Sequence, residues 1–321
     1  MTTDARRINL TKTQLAAVEA PLGRLVFLGG PGAGKSLVVG ERAVWLVRNG
    51  IARPEEVLVL APSRRAASAL TDYIHGRLQG SPAPKITSFH GLALTILRDH
   101  YRDMGYARCP QLLNTARHFD ALRRMLAEAD AGDWPHYGRS LRTGALKMLA
   151  YDLVIGRGEN RLSTADLFRL ARLSELPELG ELARFYERYR ERQRRAGLID
   201  FGALLAEVAD LLALPHVAKD YQRIYRHILV DEYEEANCAQ AEILFHLVGE
   251  DTDLLVAGDP AQAINGYRSG TSLHLLSCEK RFKARVLVSG DSRRSGDRLA
   301  SVVMAARPMT MAVVATAVPS A

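Results

Sequence analysis

The sequence predicts an α/β fold in which a parallel sheet is interrupted by a helical insertion. Short apolar runs alternate with helical patterns over the first hundred residues, and the first run opens into a Gly-rich turn at 29–36 (GGPGAGKS). An arginine-rich stretch with little strand signal then separates these early runs from a second set. Alternating strands and helices require crossover connections, hence parallel pairing.

The elements follow in order. Residues 24–28 (RLVFL) form an apolar run, and 37–48 (LVVGERAVWLVR) have helical spacing through Val38, Trp45 and Leu46. Val57 to Leu60 predicts a second strand, followed by a helix in which Ala66, Leu70, Ile74 and Leu78 recur every four residues. Lys85 to Thr87 predicts a third short strand before the helical FHGLALTILRDHY. From about 98 to 199 helical patterns dominate. In the last of them, about Glu181 to Arg195, Leu182, Phe185, Tyr186 and Tyr189 share a face, with Arg184, Arg188, Arg192 and Arg195 largely on others; Gly197 ends it. Strand-like runs return at 227–230 (HILV), 253–257 (DLLVA) and 284–288 (ARVLV). The tail from about 301 has Arg307 as its single charge and no clear period, and predicts no stable element.

Composition narrows the class. A length of 321 residues suits two domains, and 47% hydrophobic with 25% charged residues excludes a disordered or fibrous chain. The net charge of +7 leans toward phosphate-bearing partners. Cys109, Cys238 and Cys278 form no C-x-x-C pair and no metal-ligand spacing, which argues against a disulfide-stapled secreted fold or a zinc ribbon and for a reducing cytosol. No run reaches the ~20 apolar residues of a membrane span, and MTTDARRINLTKTQ has no signal-like apolar core. The expectation is a soluble intracellular protein without a membrane partner.

The turn at 29–36 satisfies G-x-x-x-x-G-K-[ST] through Gly29, Gly34, Lys35 and Ser36, between a strand and a helix as the chemistry requires. Glycines let backbone N–H groups converge on phosphate oxygens, and a helix N-terminus adds partial positive charge. Gly29, Gly30, Pro31, Gly32, Ala33 and Gly34 are thus the candidate cradle, Lys35 the partner of the β- and γ-phosphates, and Ser36 a Mg²⁺ ligand. The plain alternative is a Gly-rich turn. Such a loop needs carboxylates at a neighbouring strand end, and HILVDE supplies Asp231 for the metal and Glu232 to take a proton from, or orient, water. Its alternative is a solvated acidic loop. At 254–268 (LLVAGDPAQAINGYR), Gln262 has an amide suited to a γ-phosphate or a water, and Gln14 has the donor and acceptor that match adenine N6 and N7. Alone, the first reads as a loop and the second as a surface glutamine.

Taken in order, these segments closely resemble the superfamily 1 DNA helicases of the UvrD, Rep and PcrA type, including actinobacterial UvrD/AdnB-like relatives. The resemblance runs from about residue 8 to 300. LTKTQ is similar to the family's Q motif, GGPGAGKS to motif I, LAPSRRAA (60–67) to motif Ia and TSFHGLALTILR (87–98) to motif Ib. IDFGALL (199–205) is similar to its "DF-x-DLL" stretch, VDEYEEANCAQ (230–240) to motif II, GDPAQAINGYRSG (258–270) to motif III and SRRS (292–295) to motif IV.

The resemblance implies a RecA-like phosphate-loop NTPase sheet: a first RecA-like domain in two parts, 1–97 and 200–283, around a helical insertion subdomain, 98–199. Residues 284–321 are expected to begin a second RecA-like domain. It further implies that Gln14 reads adenine, that Arg42 lies near the nucleotide, and that Gln262, Arg268 and Arg294 surround the γ-phosphate or couple it to DNA. Tyr267 matches a position that stacks on a base, and Ser63, Arg64, Thr87 and His90 match positions along the single-strand path. Pro62, Arg293, Asn265 and Gly266 depart from the pattern and alter the base-gripping positions.

The activity implied is ATP-dependent 3′-to-5′ translocation on DNA in repair or recombination, with ATP and Mg²⁺ as cofactors. The partners implied are single-stranded DNA, single/double-strand junctions and a second helicase or nuclease subunit, in a nucleoid-associated bacterial cytoplasm. Motifs V and VI have no counterpart here. The sequence is therefore expected to be the N-terminal part of a longer helicase, from a truncated coding sequence or one whose frame changes near residue 305. An absent arginine finger would slow hydrolysis by ~10³–10⁵. Two other functions stay open: an ATP-responsive DNA-binding fragment without unwinding, and a phosphate-loop enzyme acting on a small molecule.

Overall fold

The computed structural model describes residues 9–128, 156, 158–262 and 272–290. Asn265, Gly266, Tyr267, Arg268, Arg293, Arg294 and the tail from 301 lie outside the described residues, so the expectations for them are not placed.

Helix α1 (Lys12–Val18) opens with a capping box in which the Thr11 hydroxyl accepts the Gln14 N–H and Gln14 Oε1 accepts the Thr11 N–H. Then come β1 (Arg24–Gly29), α2 (Lys35–Arg48), β2 (Val57–Ala61), α3 (Arg64–Leu78), β3 (Lys85–Ser88) and α4 (Phe89–His100). A second group follows: β4 (Gln111–Leu112), α5 (Thr115–Glu128), α6 (Thr164–Leu173), α7 (Pro177–Ala196), β5 (Leu198–Ile199) and α8 (Phe201–Leu212). The chain continues with α9 (Pro215–Ile224), β6 (His227–Val230), α10 (Cys238–Leu247), β7 (Asp253–Gly258), α11 (Ser272–Phe282) and β8 (Arg285–Ser289).

Six strands form one sheet in the order β3-β2-β6-β7-β1-β8, every pair parallel. All residues of β2, β6 and β7 are buried, as expected where helices cover both faces. Phe27, Val57, Val59, Leu229 and Leu255 join Val38 and Val39 of α2 and Leu70 and Ile74 of α3 in one core.

The chain divides into two compact units. The first contains the sheet, with Pro215–Ala236 and the residues up to Gly91 and from Leu244 on; the second comprises Leu92–Leu214 and Asn237–Ile243. The IDFGALL segment, expected to resume the sheet domain, forms β5 and α8 of this helical unit. Here β4 and β5 make a two-residue parallel pair too short to leave a sequence signal. Along α7, Leu182, Phe185 and Tyr189 are buried while Arg184, Arg188, Arg192 and Arg195 are exposed, as the periodicity predicts. Arg192 pairs with Glu128 and Arg195 with Glu191, so part of this basic surface is locally neutralised.

At residue 284 the structure corrects the sequence reading. The run expected to start a second RecA-like domain is β8, which pairs in parallel with β1 from Leu25↔Arg285 to Gly29↔Ser289 and completes one edge of the first sheet. Its burial is only partial, with Arg285 and Val288 exposed and Ser289 buried, as befits a strand paired on one side.

Arg42 is the second correction. It lies seven residues beyond Lys35 on α2, about 10 Å toward the N-terminal ends of the strands at 1.5 Å per residue, and so away from the Gly-rich turn. There it is 3% exposed, donates to the Val18 and Ala20 carbonyls through Nη1, and reaches both Asp253 oxygens at 3.1 and 3.2 Å through Nη2. Asp253 also accepts the Gly23 N–H at 2.9 Å and faces His227 Nδ1 at 3.2 Å. Burial pushes the Asp253 carboxyl up, but His227, Arg42 and the Gly23 N–H outweigh it and hold the pKa below the ordinary value. Arg42→Met removes the guanidinium partner of this buried charge and the donor to the Val18 and Ala20 carbonyls, and urea unfolding is expected to show a loss of ~3–5 kcal/mol. Because the Asp253 pKa is depressed, its contribution is complete above its unfolded value, ~3.9, and disappears as pH falls through the lower folded value. A variant within ~1 kcal/mol of the parent would show that the cluster contributes little.

Candidate functional site

The Gly-rich turn leaves β1 at Gly29 and enters α2 at Lys35. Gly32 and Gly34 have φ of +77° and +76°, the left-handed region that only glycine occupies freely. A Cβ at Gly29 would lie 2.6 Å from the Ala33 Cβ, and one at Gly34 would lie 2.6 Å from Gln14 Nε2. No side chain caps α2, so its first-turn amides are left for an anion in the cleft. Lys35 Nζ folds back to donate to the Gly29 and Gly30 carbonyls at 3.0 and 3.3 Å.

A cleft of about 480 Å³ opens here, lined by Gly30, Pro31, Gly32, Gly34, Lys35, Ser36, Leu37, Glu232 and Gln262. That size is within the range of small-ligand sites. Asp231 continues β6, its N–H donating to the Leu60 carbonyl at 2.9 Å, and is 4% exposed. Burial lifts its pKa to about 6, against a hydrogen bond donated by the Ser36 hydroxyl. The two expected metal ligands are therefore in contact although β1 and β6 are separated by β7. Uncapped amides, a cradle with no room for side chains, and a hydroxyl–carboxylate pair form a donor set that fits a phosphate chain and a hard divalent cation.

Glu232 is exposed and has φ of +50°, an uncommon conformation for a side-chain-bearing residue, typically held at a cost of ~1–3 kcal/mol where the surroundings enforce it. Gln262 ends a short 3₁₀ turn (Pro260–Gln262) and donates its amide Nε2 to Asp259, whose carboxylate also accepts the Ala261 N–H at 3.1 Å. Asp259 takes the amide nitrogen, which leaves Oε1 as the acceptor of a residue that lines the cleft.

The structure differs from expectation at Gln14. It is completely buried, with Nε2 donating to the Ala33 carbonyl at 2.8 Å and Oε1 accepting the Thr11 N–H, so it braces the phosphate loop from behind. Glu234, which the sequence reading passed over, is 3% exposed in the turn after β6, with its carboxyl pushed up to about 7 by burial. Its acidity was visible within DEYEE; which of these acids turns inward depends on the left-handed Glu232, and sequence carries no signal for that.

The expected DNA positions also converge. Ser63 and Arg64 begin α3 directly after β2, Thr87 lies in β3 and His90 in the first turn of α4. Since Leu60 pairs with Thr87 and Ala61 with Ser88, all four emerge at the C-terminal ends of adjacent strands, on the same sheet edge as the cleft. Ser63 caps α3, its hydroxyl accepting the Ala66 N–H at 3.2 Å, and Arg64 is exposed. No single described helix is long and apolar enough to cross a membrane.

Residues 10–283 match the family described as "UvrD/REP helicase N-terminal domain". The chain is similar to DNA helicase II of Escherichia coli K12, at 28% identity over 265 residues, covering 81% of this chain and 35% of the relative. It is similar to the ATP-dependent DNA helicase UvrD1 of Mycobacterium leprae, at 26% over 287 residues, 85% of this chain and 36% of the relative. A third relative, the ATP-dependent DNA helicase PcrA of Leuconostoc citreum, is 26% identical over 276 residues, 85% of this chain and 35% of its own length. The chain thus spans about a third of the length of these relatives. With that match covering both parts of the sheet and the turn between β1 and α2, the chain belongs to the UvrD/REP helicase family.

Proposed function

We propose that this chain is a Mg-ATP-hydrolysing module that couples turnover to movement on single-stranded DNA, 3′ to 5′, in bacterial DNA repair or recombination. The observation that carries the reading is the cleft lined by Lys35, Ser36, Glu232 and Gln262 at one edge of a parallel sheet, with Asp231 bonded to Ser36 beneath it. The α2 amides and Lys35 bind the phosphates. Ser36 and Asp231 hold Mg²⁺, which when bound withdraws charge from the phosphoryl oxygens. Glu232 accepts a proton from the attacking water, and Gln262 Oε1 accepts a hydrogen bond from the same water and orients it. Gln14 keeps the loop in its anion-binding shape from behind. Arg268 and Arg294 meet the γ-phosphate, and Tyr267 stacks on a base.

DNA runs across the same edge, where Ser63, Arg64, Thr87 and His90 face its phosphates. Single/double-strand junctions and a second helicase or nuclease subunit complete the proposed partners, and the nucleoid in the cytoplasm is the proposed location.

ATP hydrolysis and nucleotide binding, each with and without single-stranded DNA, test this reading. Lys35→Ala is expected to weaken nucleotide binding. Glu232→Gln is expected to keep binding and lower turnover by ~10²–10⁴, the usual range for a lost general base. Equal turnover in parent and both variants would show that the cleft is not the site, and turnover indifferent to DNA would favour a small-molecule substrate. For the DNA path, Arg64→Ala should reduce the slope of log affinity against log salt by about 1, uniformly across sequences. An unchanged slope would place Arg64 away from the phosphates.

A further inference from the structure

Glu234 is a buried acid at the junction of two turns that border the cleft. It lies in the 3₁₀ turn Tyr233–Glu235, immediately after Glu232. The N–H of Asp259, the first residue after β7, and Glu234's own N–H favour its ionised form by hydrogen bonding, while its Oε2 is buried without a hydrogen-bond partner. Its Oε2 rests against Gly258, where a Cβ would lie 2.6 Å from it and equally close to Leu275 Cδ2 of α11. Gly258 therefore admits the carboxyl, and Leu275 helps to enclose it. Asp259 in turn holds the Gln262 amide.

We propose that Glu234 is a positioning residue for hydrolysis, tying the turn that presents Glu232 to the turn that presents Gln262. One side chain on the β6 turn bonds to the backbone of the β7 turn, so the two groups assigned to the attacking water are set relative to each other without touching. The tether needs an acceptor of glutamate length and does not need a charge. Burial against Gly258 and Leu275 disfavours the ionised form; Lys35 and the N–H donors favour it, and Glu232 opposes it. Glutamine, with the same reach and a carbonyl acceptor, is the conservative replacement.

The inference rests on the proposed function for its kinetic arm only. Amide hydrogen exchange at Asp259 reads the tether directly, in the whole chain without nucleotide. Exchange in Glu234→Gln is expected to match the parent, whereas Glu234→Ala and Glu234→Leu, the second keeping the volume without an acceptor, are expected to exchange about tenfold faster. In Mg-ATP turnover with single-stranded DNA, the Ala and Leu variants should lose about tenfold in kcat with KM within about threefold, and Gln should restore kcat. Parental exchange in the Ala and Leu variants, or a Gln variant as impaired as these, would overturn the role of Glu234. Absence of Lys35-dependent ATP binding in the parent would instead overturn the proposed function and leave the exchange result standing.

Discussion

Because β1, β7 and β6 run in the same direction and pair in register, each strand that carries a functional group delivers it to the same edge of the sheet. Leu28 is level with Gly258, and Val230 with Val256, so the loops after these strands start within about two residues of one another. Adjacent strands are ~4.8 Å apart, which puts the ends of β1 and β6 roughly 10 Å from each other across β7. A side chain on β1 could not bridge that gap. The first turn of α2 does, because Gly32 and Gly34 reverse the chain tightly enough to return Ser36 over the sheet to Asp231. Parallel pairing and two left-handed glycines are thus the conditions under which amides, ammonium group and carboxylate can act on one ligand.

The parts of this arrangement governed by local pattern were legible in the sequence. Apolar runs located the four inner strands β1, β2, β6 and β7 to within two residues, because strands covered on both faces need apolar side chains at nearly every position. The phosphate loop was legible for the same local reason: its glycines are needed where they stand by φ and by close approach. What depends on tertiary direction was not. Arg42 shares α2 with Lys35, and the string of residues does not say that seven positions along a helix crosses the sheet from one edge to the other. Gln14 carries the chemistry of a base reader, yet its capping box with Thr11 and its bond to Ala33 turn the amide inward. The run at 284–288 reads as a strand, but which sheet it joins is set by long-range pairing.

The arginine-rich helix α7 shows how a periodic pattern can be right about structure while leaving function open. Its burial follows the predicted face, and two of its exposed arginines, Arg192 and Arg195, pair with carboxylates. Arg190, outside the row of arginines singled out from the sequence, pairs with Glu207 of α8 inside the helical unit. Burial raises the Glu207 pKa even so. Removing two charges from water offsets most of what their attraction returns, so this pair is better understood as fixing how α7 and α8 meet than as a source of stability.

The two edges of the sheet treat buried charge in opposite ways, and the contrast accounts for the relocation of Arg42. At the N-terminal edge, Asp253 is surrounded by Arg42, His227 and a backbone N–H, which together hold its pKa below the ordinary value. At the C-terminal edge, Asp231 and Glu234 are held with raised pKa values, Glu232 is in a left-handed conformation, and the α2 amides have no cap. Each of these features costs stability without a ligand, and each is the kind of cost that a bound polyanion with its cation would relieve. A buried arginine bonded directly to Asp231 or Glu234 would satisfy these carboxylates and remove the unsatisfied state of the cleft. The same arginine at the N-terminal edge stabilises the frame that keeps the C-terminal edge unsatisfied, so the ionic cluster around Asp253 serves the site by being remote from it.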